Sequence, residues 1–191
     1  MGISVLNQPA TSGGKILKKV TLTSGSSWTV PSGVTDINVT LYGAGGGGGA
    51  SGSMGGTYGY SNGGTGGTTT FTGATSAGGG NGGTSVASQA NVSQSSYHPD
   101  GNNGSMHGEG GLAGGYGGAM NDTVTNILNT FGVNGSFGKV VSSTLSVTPG
   151  QSIGYSIGGG GARGQAGKAH TNQFVYGGYG ADGKIDIEYW V

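Results

Sequence analysis

The densest group of side chains able to do chemistry is Tyr97-His98-Pro99-Asp100-Gly101-Asn102-Asn103-Gly104-Ser105-Met106-His107-Gly108-Glu109, which holds two imidazoles and two carboxylates. Imidazole and carboxylate together can bind a divalent cation. A calcium loop of the EF-hand kind, however, needs a ligand where Gly104 stands and a glutamate where Gly111 stands, so that pattern fails. No metal site and no cofactor is assigned. The stretch reads instead as a polar exposed loop, and long loops carried on rigid scaffolds are where contact residues collect.

Two further strings imitate catalytic motifs. Gly150-Gln151-Ser152-Ile153-Gly154 matches the nucleophile-elbow string, but Ser152 falls in an alternating pattern directly after a turn, with no helix following. The elbow requires strand, turn and helix in that order. Residues Ala162 to Ala169 approach a phosphate loop around Gly167-Lys168, yet Ala162 replaces the first glycine and Ala169 the hydroxyl residue, which removes the cradle and the metal ligand. No catalytic residue is assigned, and the chain reads as a non-enzyme for want of a convergent acid, base and nucleophile.

Tyrosine is the remaining signal, because Tyr58, Tyr60, Tyr97, Tyr116, Tyr176 and Tyr179 all lie in or beside glycine blocks. Small neighbours leave such rings accessible, and an aromatic face with a hydroxyl suits sugar rings or the loops of an outer-membrane protein. The competing role is structural, with rings shielding a glycine layer's backbone hydrogen bonds. The candidate receptor-binding residues are Tyr58, Tyr60, Tyr97, His98, His107 and Tyr116.

What must position these residues is unusual, since glycine occupies 49 of 191 positions and falls in blocks between strand patterns. Three blocks read in triplets: Gly63-Gly64-Thr65-Gly66-Gly67-Thr68, Gly79-Gly80-Asn81-Gly82-Gly83-Thr84 and Gly114-Gly115-Tyr116-Gly117-Gly118. A period of three is that of extended left-handed helices with three residues per turn, in which paired glycines let neighbouring backbones hydrogen-bond. Glycine costs roughly 0.5–1 kcal/mol against alanine in regular structure, so such density is expected only where backbones must approach closely. Flexible Gly/Ser tracts are the alternative; the strand patterns between the blocks weigh against them.

Those strands alternate cleanly. Ile37, Val39 and Leu41 interleave with Asn38, Thr40 and Tyr42, and Ile185, Ile187, Tyr189 and Val191 with Asp186, Glu188 and Trp190, each a strand with one buried face. Val20 and Leu22, Trp28 and Val30 before Pro31-Ser32-Gly33, and the stretches 68–72, 84–87, 139–142 and 173–176 are further strand candidates. Leu145 and Val147, then Pro149-Gly150, then Ile153, Tyr155 and Ile157 predict a hairpin, because proline presets one φ of a turn and glycine accepts the next. One segment changes period: Val124, Ile127, Leu128 and Phe131, with Asn121 or Asp122 as N-cap and Gly132 beyond the end, predict one short inserted helix. The fold class expected is all-β, a jelly-roll-like β-sandwich with polyglycine-type helices and loops. Residues 1–14 read as an attachment arm and 15–191 as the domain, with an insert at about 89–138.

Composition narrows the function. Hydrophobic residues make up 32% of the chain, so backbone hydrogen bonds must supplement a modest core. Seven basic and seven acidic residues balance, with no basic cluster beyond Lys15, Lys18 and Lys19, which disfavours nucleic-acid binding; lysines so placed suit a strand edge guarded against pairing. There is no cysteine, so no disulfide or thiolate metal site. Met1 to Ala10 lacks a cationic start and an apolar core, and no apolar run reaches membrane-spanning length. The expectation is a protein made in the cytoplasm, without membrane insertion, and exported, if at all, as part of a larger particle.

Four motifs in order carry a family resemblance: Trp28-Thr29-Val30-Pro31-Ser32-Gly33-Val34; Ile37 to Gly48; Val147-Thr148-Pro149-Gly150-Gln151-Ser152-Ile153 with Gly158 to Gly161; and Gly180-Ala181-Asp182-Gly183-Lys184-Ile185. From Lys15 onward the chain resembles the glycine-rich domain of bacteriophage tail fibre and tail tip proteins, and departs from its commonest form by the 89–138 insert. The resemblance implies a virion protein, a fibre-tip adhesin that binds a host surface receptor and meets other virion proteins through its N-terminal arm. It is compatible with a homo-oligomer, though no heptad repeat forces a trimer. A purely structural role in capsid decoration or fibre joining is the alternative. Ice binding is a more distant one, because Leu112 and Tyr116 interrupt the outward series Thr65, Thr68, Asn81 and Thr84.

Overall fold

The computed structural model describes residues 11–12, 14–54, 57–89, 104, 106–109, 128–167 and 174–191, and within them the chain is all β with no helix. An antiparallel five-stranded sheet runs in the order β1 (Thr11–Ser12), β2 (Lys15–Leu22), β14 (Lys184–Trp190), β4 (Asp36–Tyr42) and β10 (Val140–Ser146). A three-stranded sheet has the order β3 (Ser27–Thr29), β11 (Ser152–Ser156) and β7 (Thr70–Phe71). Three two-stranded antiparallel sheets complete the described strands: β5 (Ala50–Met54) with β6 (Thr57–Ser61), β8 (Ser85–Gln89) with β9 (Leu128–Gly132), and β12 (Gln165–Gly167) with β13 (Phe174–Tyr176).

Period-two alternation decides which face each sheet buries. On β4, Ile37, Val39 and Leu41 are buried, and the register sets Leu41 beside Ile185 and Val39 beside Ile187. Val20 and Leu22 of β2 and Val141 and Leu145 of β10 pack on the same cluster. The smaller sheet contributes Phe71 and Ile153, and the ring of Trp28 lies 6.4 Å from that of Phe71 and 5.9 Å from that of Tyr189. Trp28 therefore links the two sheets. Each fully buried aliphatic or aromatic side chain contributes about 1.5–3 kcal/mol, and this one cluster supplies most of the apolar burial in the described residues.

Two expectations about local structure are corrected. The Pro149-Gly150 turn forms, with Gly150 at φ 80°, but its flanks do not pair as a hairpin: β10 pairs with β4 in the larger sheet and β11 with β3 and β7 in the smaller. The turn carries the chain across the core. The Pro31-Ser32-Gly33 turn, with Gly33 also at φ 80°, carries it across between β3 and β4, and the two crossings are tied by Val30 N to Gln151 O and Gly150 N to Val30 O, both 2.9 Å. The expected helix is the second correction. Leu128 to Gly132 is strand β9, paired with β8 so that Phe131 lies opposite Val86 and Leu128 opposite Gln89; Val124, Ile127 and the cap candidates Asn121 and Asp122 lie outside the described residues. Apolar residues three apart do not exclude a strand. Asn129, Thr130 and Phe131 have little helix preference, and an otherwise open partner strand decides such a case.

The outer face of the larger sheet is polar and centres on Asp186. Its side chain is 5% exposed, accepts from Thr21 Oγ1 at 2.7 Å and from Lys184 Nζ at 2.9 Å, and lies 3.3 Å from Lys19 Nζ. Burial alone pushes the Asp186 carboxyl up, but the Thr21 hydroxyl and the two ammonium groups together hold it below the ordinary aspartate range. For Lys19, burial pushes the ammonium down, and the hydrogen bond and charge of Asp186, with a smaller effect of Glu188, more than reverse this and raise it. A carboxyl lowered by folding stabilises above its unfolded value, about pH 4, and loses that contribution as pH falls through the folded value. Asp186→Asn is expected to cost about 2 kcal/mol at neutral pH. In urea titrations, the gap between variant and wild type should close progressively below about pH 4; a gap independent of pH would refute this role.

Candidate functional site

Six extended glycine-rich runs leave the sheets and form the scaffold on which the candidate residues sit. The 43–49 run lies at the centre and distributes its amides with a strict period of three: Gly43, Gly46 and Gly49 donate to Lys139, Ser136 and Val133, Ala44 and Gly47 to Gly67 and Gly64, and Gly45 and Gly48 to Ala181 and Gly178. Its carbonyls follow the same rule, with Ala44 and Gly47 accepting from Gly80 and Gly83, and Gly45 and Gly48 from Gly161 and Gly164. Five runs thus bond the central one. They also bond each other around it, through Gly66 N to Gly80 O, Ser136 N to Asn81 O, Gly180 N to Gly161 O and Gly67 N to Gly159 O, at 2.8 to 3.0 Å.

The gap left between the 133–139 and 177–183 runs is closed by residues 104 and 106–109. Gly138 N donates to Gly108 O at 2.8 Å on one side, and Gly104 N to Tyr179 O and Ala181 N to Glu109 O at 2.9 Å on the other. The central run is therefore enclosed. A Cβ at Gly47 would fall on the carbonyl of Ala162, and one at Gly43 on that of Gly78. The segment that could have been a metal loop is, in its described part, a structural closure.

Among the described residues, three two-stranded antiparallel pairs stand at the end remote from the sheets: β5–β6 between the 43–49 and 63–68 runs, β8–β9 between 78–84 and 133–139, and β12–β13 between 158–164 and 177–183. These strand pairs pack on one another. Tyr58 and Tyr60 lie on β6, opposite Ser53 and Ser51. His107 lies elsewhere, exposed beside Asp182, whose carbonyl is 3.2 Å from its Nδ1. At about 3.1 Å per residue of extended run, the length of the 43–49 run separates it from β6 by about 20 Å. The candidate residues Tyr97, His98 and Tyr116 lie outside the described residues.

Sequence reasoning missed a cation. The Arg163 guanidinium stacks 3.9 Å from the Tyr176 ring centre and 5.0 Å from that of Tyr179, an arrangement that orders all three side chains on the flank of the array. Next to it, Gly104, Met106, His107, Tyr179, Gly180, Ala181 and Asp182 line an open depression of about 320 Å³. Tyr176 and Tyr179 were noted in the sequence only as tyrosines beside glycine blocks; Arg163, on another run, could be placed only by the hydrogen-bond register between runs.

Among the described residues no three His, Asp or Glu side chains converge to hold a metal. Ser152 opens β11 opposite Thr29, and Gly167 ends β12 with Lys168 outside the described residues. No protein-family model and no curated protein matches this sequence. The geometry defines a scaffold held together by backbone hydrogen bonds, with charged side chains such as Arg163 and Asp182 on its flanks.

Close approach of backbones makes a sharp prediction. Gly47→Ala is expected to lower stability by about 3 kcal/mol or more, or to prevent folding, because the neighbouring carbonyl cannot retreat without breaking its own bonds. Gly159 has open space within 4 Å of its Cβ position, so Gly159→Ala should stay within about 0.5 kcal/mol of wild type. Urea midpoints of the two variants check this, and equal midpoints would refute it.

Proposed function

We infer that the chain is a bacteriophage virion protein of the tail fibre or tail tip that binds a receptor on the host cell surface. In this reading the two sheets form a β-sandwich of jelly-roll kind, and the glycine-rich runs are polyglycine-type helices that extend it. The observation that carries the reading is the enclosed 43–49 run, bonded by five neighbouring runs, with three packed strand pairs at the far end of the array. Such a scaffold presents loops already ordered, so little conformational entropy is lost on contact. Copies on one particle then turn weak contacts into avidity. The receptor is an outer-membrane protein or a surface glycan, met by Tyr58 and Tyr60 together with Tyr97, His98, His107 and Tyr116, while the N-terminal arm meets other virion proteins.

Binding of the labelled full chain to intact host-range bacteria tests this. A variant with alanine at Tyr58, Tyr60, Tyr97, His98, His107 and Tyr116 should keep its fold by circular dichroism and lose binding by at least about tenfold, or about 1.4 kcal/mol. If wild type binds no cells yet incorporates into particles, the protein is a structural virion component and the receptor reading fails.

A further inference from the structure

The two edges of the five-stranded sheet are not alike. β2 carries Lys15, Lys18 and Lys19 and is covered over Lys15 and Ile16 by β1, the usual protection against edge pairing. β10 has none of this. Its seven residues, Val-Val-Ser-Ser-Thr-Leu-Ser, contain no charge, proline or glycine, and among the described residues it pairs only with β4.

The register shows which backbone groups β10 leaves open. Lys139 O accepts from Gly43 N at 2.9 Å and Val147 N donates to Thr35 O at 2.7 Å, so the odd-numbered positions face β4, and alternation turns the backbone groups of Val140, Ser142, Thr144 and Ser146 away from it. The side chains of the last three do not shield them. Each bonds back toward β4, Ser142 with Thr40 at 2.9 Å, Thr144 with Asn38 at 2.8 Å and Ser146 with Asp36 at 3.1 Å. Among the described residues nothing bonds the outer edge of β10. Apolar exposure continues along it: Val140 is 60% and Phe137 66% exposed.

We propose that β10 is a homodimer edge, where a second copy of this chain adds its own β10 antiparallel across a twofold axis at Ser143. That axis pairs all seven residues, Val140 with Ser146 and Ser142 with Thr144 of the second copy, and sets Val141 against Leu145 on the core side. Charge favours the antiparallel sense. Lys139, exposed and without an ion pair among the described residues, precedes the strand, and Asp36 sits beside its end, so the twofold brings unlike ends together. An isologous contact of this kind closes on itself and cannot grow into fibres. The proposal is independent of what the far strand pairs bind.

Sedimentation equilibrium of the full chain tests it with two double variants that differ only in sign. Ser142→Lys with Thr144→Lys places like charges directly opposite across the axis, and Ser142→Lys with Thr144→Glu places unlike ones. Wild type should be dimeric at about 100 µM protomer, the lysine pair should weaken the dimer at least about tenfold, and the Lys/Glu pair should remain dimeric. Circular dichroism checks that the monomer fold persists. A wild type that stays monomeric at that concentration overturns the proposal, as does a lysine pair that dimerises like wild type.

Discussion

The backbone amide that reaches a carbonyl on a neighbouring run is the contact on which this molecule depends. It works only if no side chain stands between the two chains, as the positions of Gly43 and Gly47 against the carbonyls of Gly78 and Ala162 make plain. Glycine content here is thus a steric requirement. It also sets the chemistry of the interior, because the central run is bonded through peptide groups, and the Asp182 carboxylate that accepts from Gly160 N at 2.7 Å does so at the exposed flank. The charged clusters lie elsewhere, around Asp186 on the sheet and Arg163 on the flank.

Such an array cannot support itself energetically. A well-made hydrogen bond returns about 0.5–1.5 kcal/mol net, whereas ordering a residue's backbone costs about 1–2 kcal/mol, and glycine has the most freedom to lose. Both ends of each run must therefore be held by something that buries apolar surface. At one end the runs emerge from strands of the common core: Tyr42 of β4 leads into Gly43, β11 into the 158–164 run, and the 177–183 run into β14. At the other end the strand pairs clamp one another. Core and array are coupled, so loss of packing around Ile187 or Leu41 would release the runs as well.

This division explains what was legible from sequence. The strands of the core were legible because Ile37-Val39-Leu41 and Ile185-Ile187 alternate under a single rule, burial on one face, and β7, β8, β10 and β13 lie where short apolar stretches placed them. The triplets gave the spacing of the runs but not their neighbours, since a repeat of glycine pairs fits many lateral registers. The Pro149-Gly150 turn showed its conformation and hid its direction: turn chemistry is local, and whether the chain pairs back or crosses a core depends on partners far away in sequence. Leu128 to Phe131 failed for the same reason, as β8 and not the segment's own spacing decided its state. Of the candidate site, Tyr58 and Tyr60 lie at the far strand pairs and His107 beside Asp182, a separation no spacing could reveal, and Arg163 between Tyr176 and Tyr179 required the lateral register.

The same constraint limits where recognition can reside. Inward positions such as Gly43 and Gly47 face backbone carbonyls at once, so a side chain there would break the array, although Ala44 shows that the central run buries one methyl group. Outward positions on one run recur every third residue, about 9 Å apart, so two side chains of one stretch can flank a group supplied by a neighbouring run, as Tyr176 and Tyr179 flank Arg163. Sites are assembled across runs in this way, or on the strand pairs at the far end. The strand pairs have the further advantage of lying farthest from the sheets, whose polar face and open β10 edge remain available for other contacts. Side-chain variation is thus tolerated best at the far end, while the sheets keep surfaces of their own, such as the β10 edge.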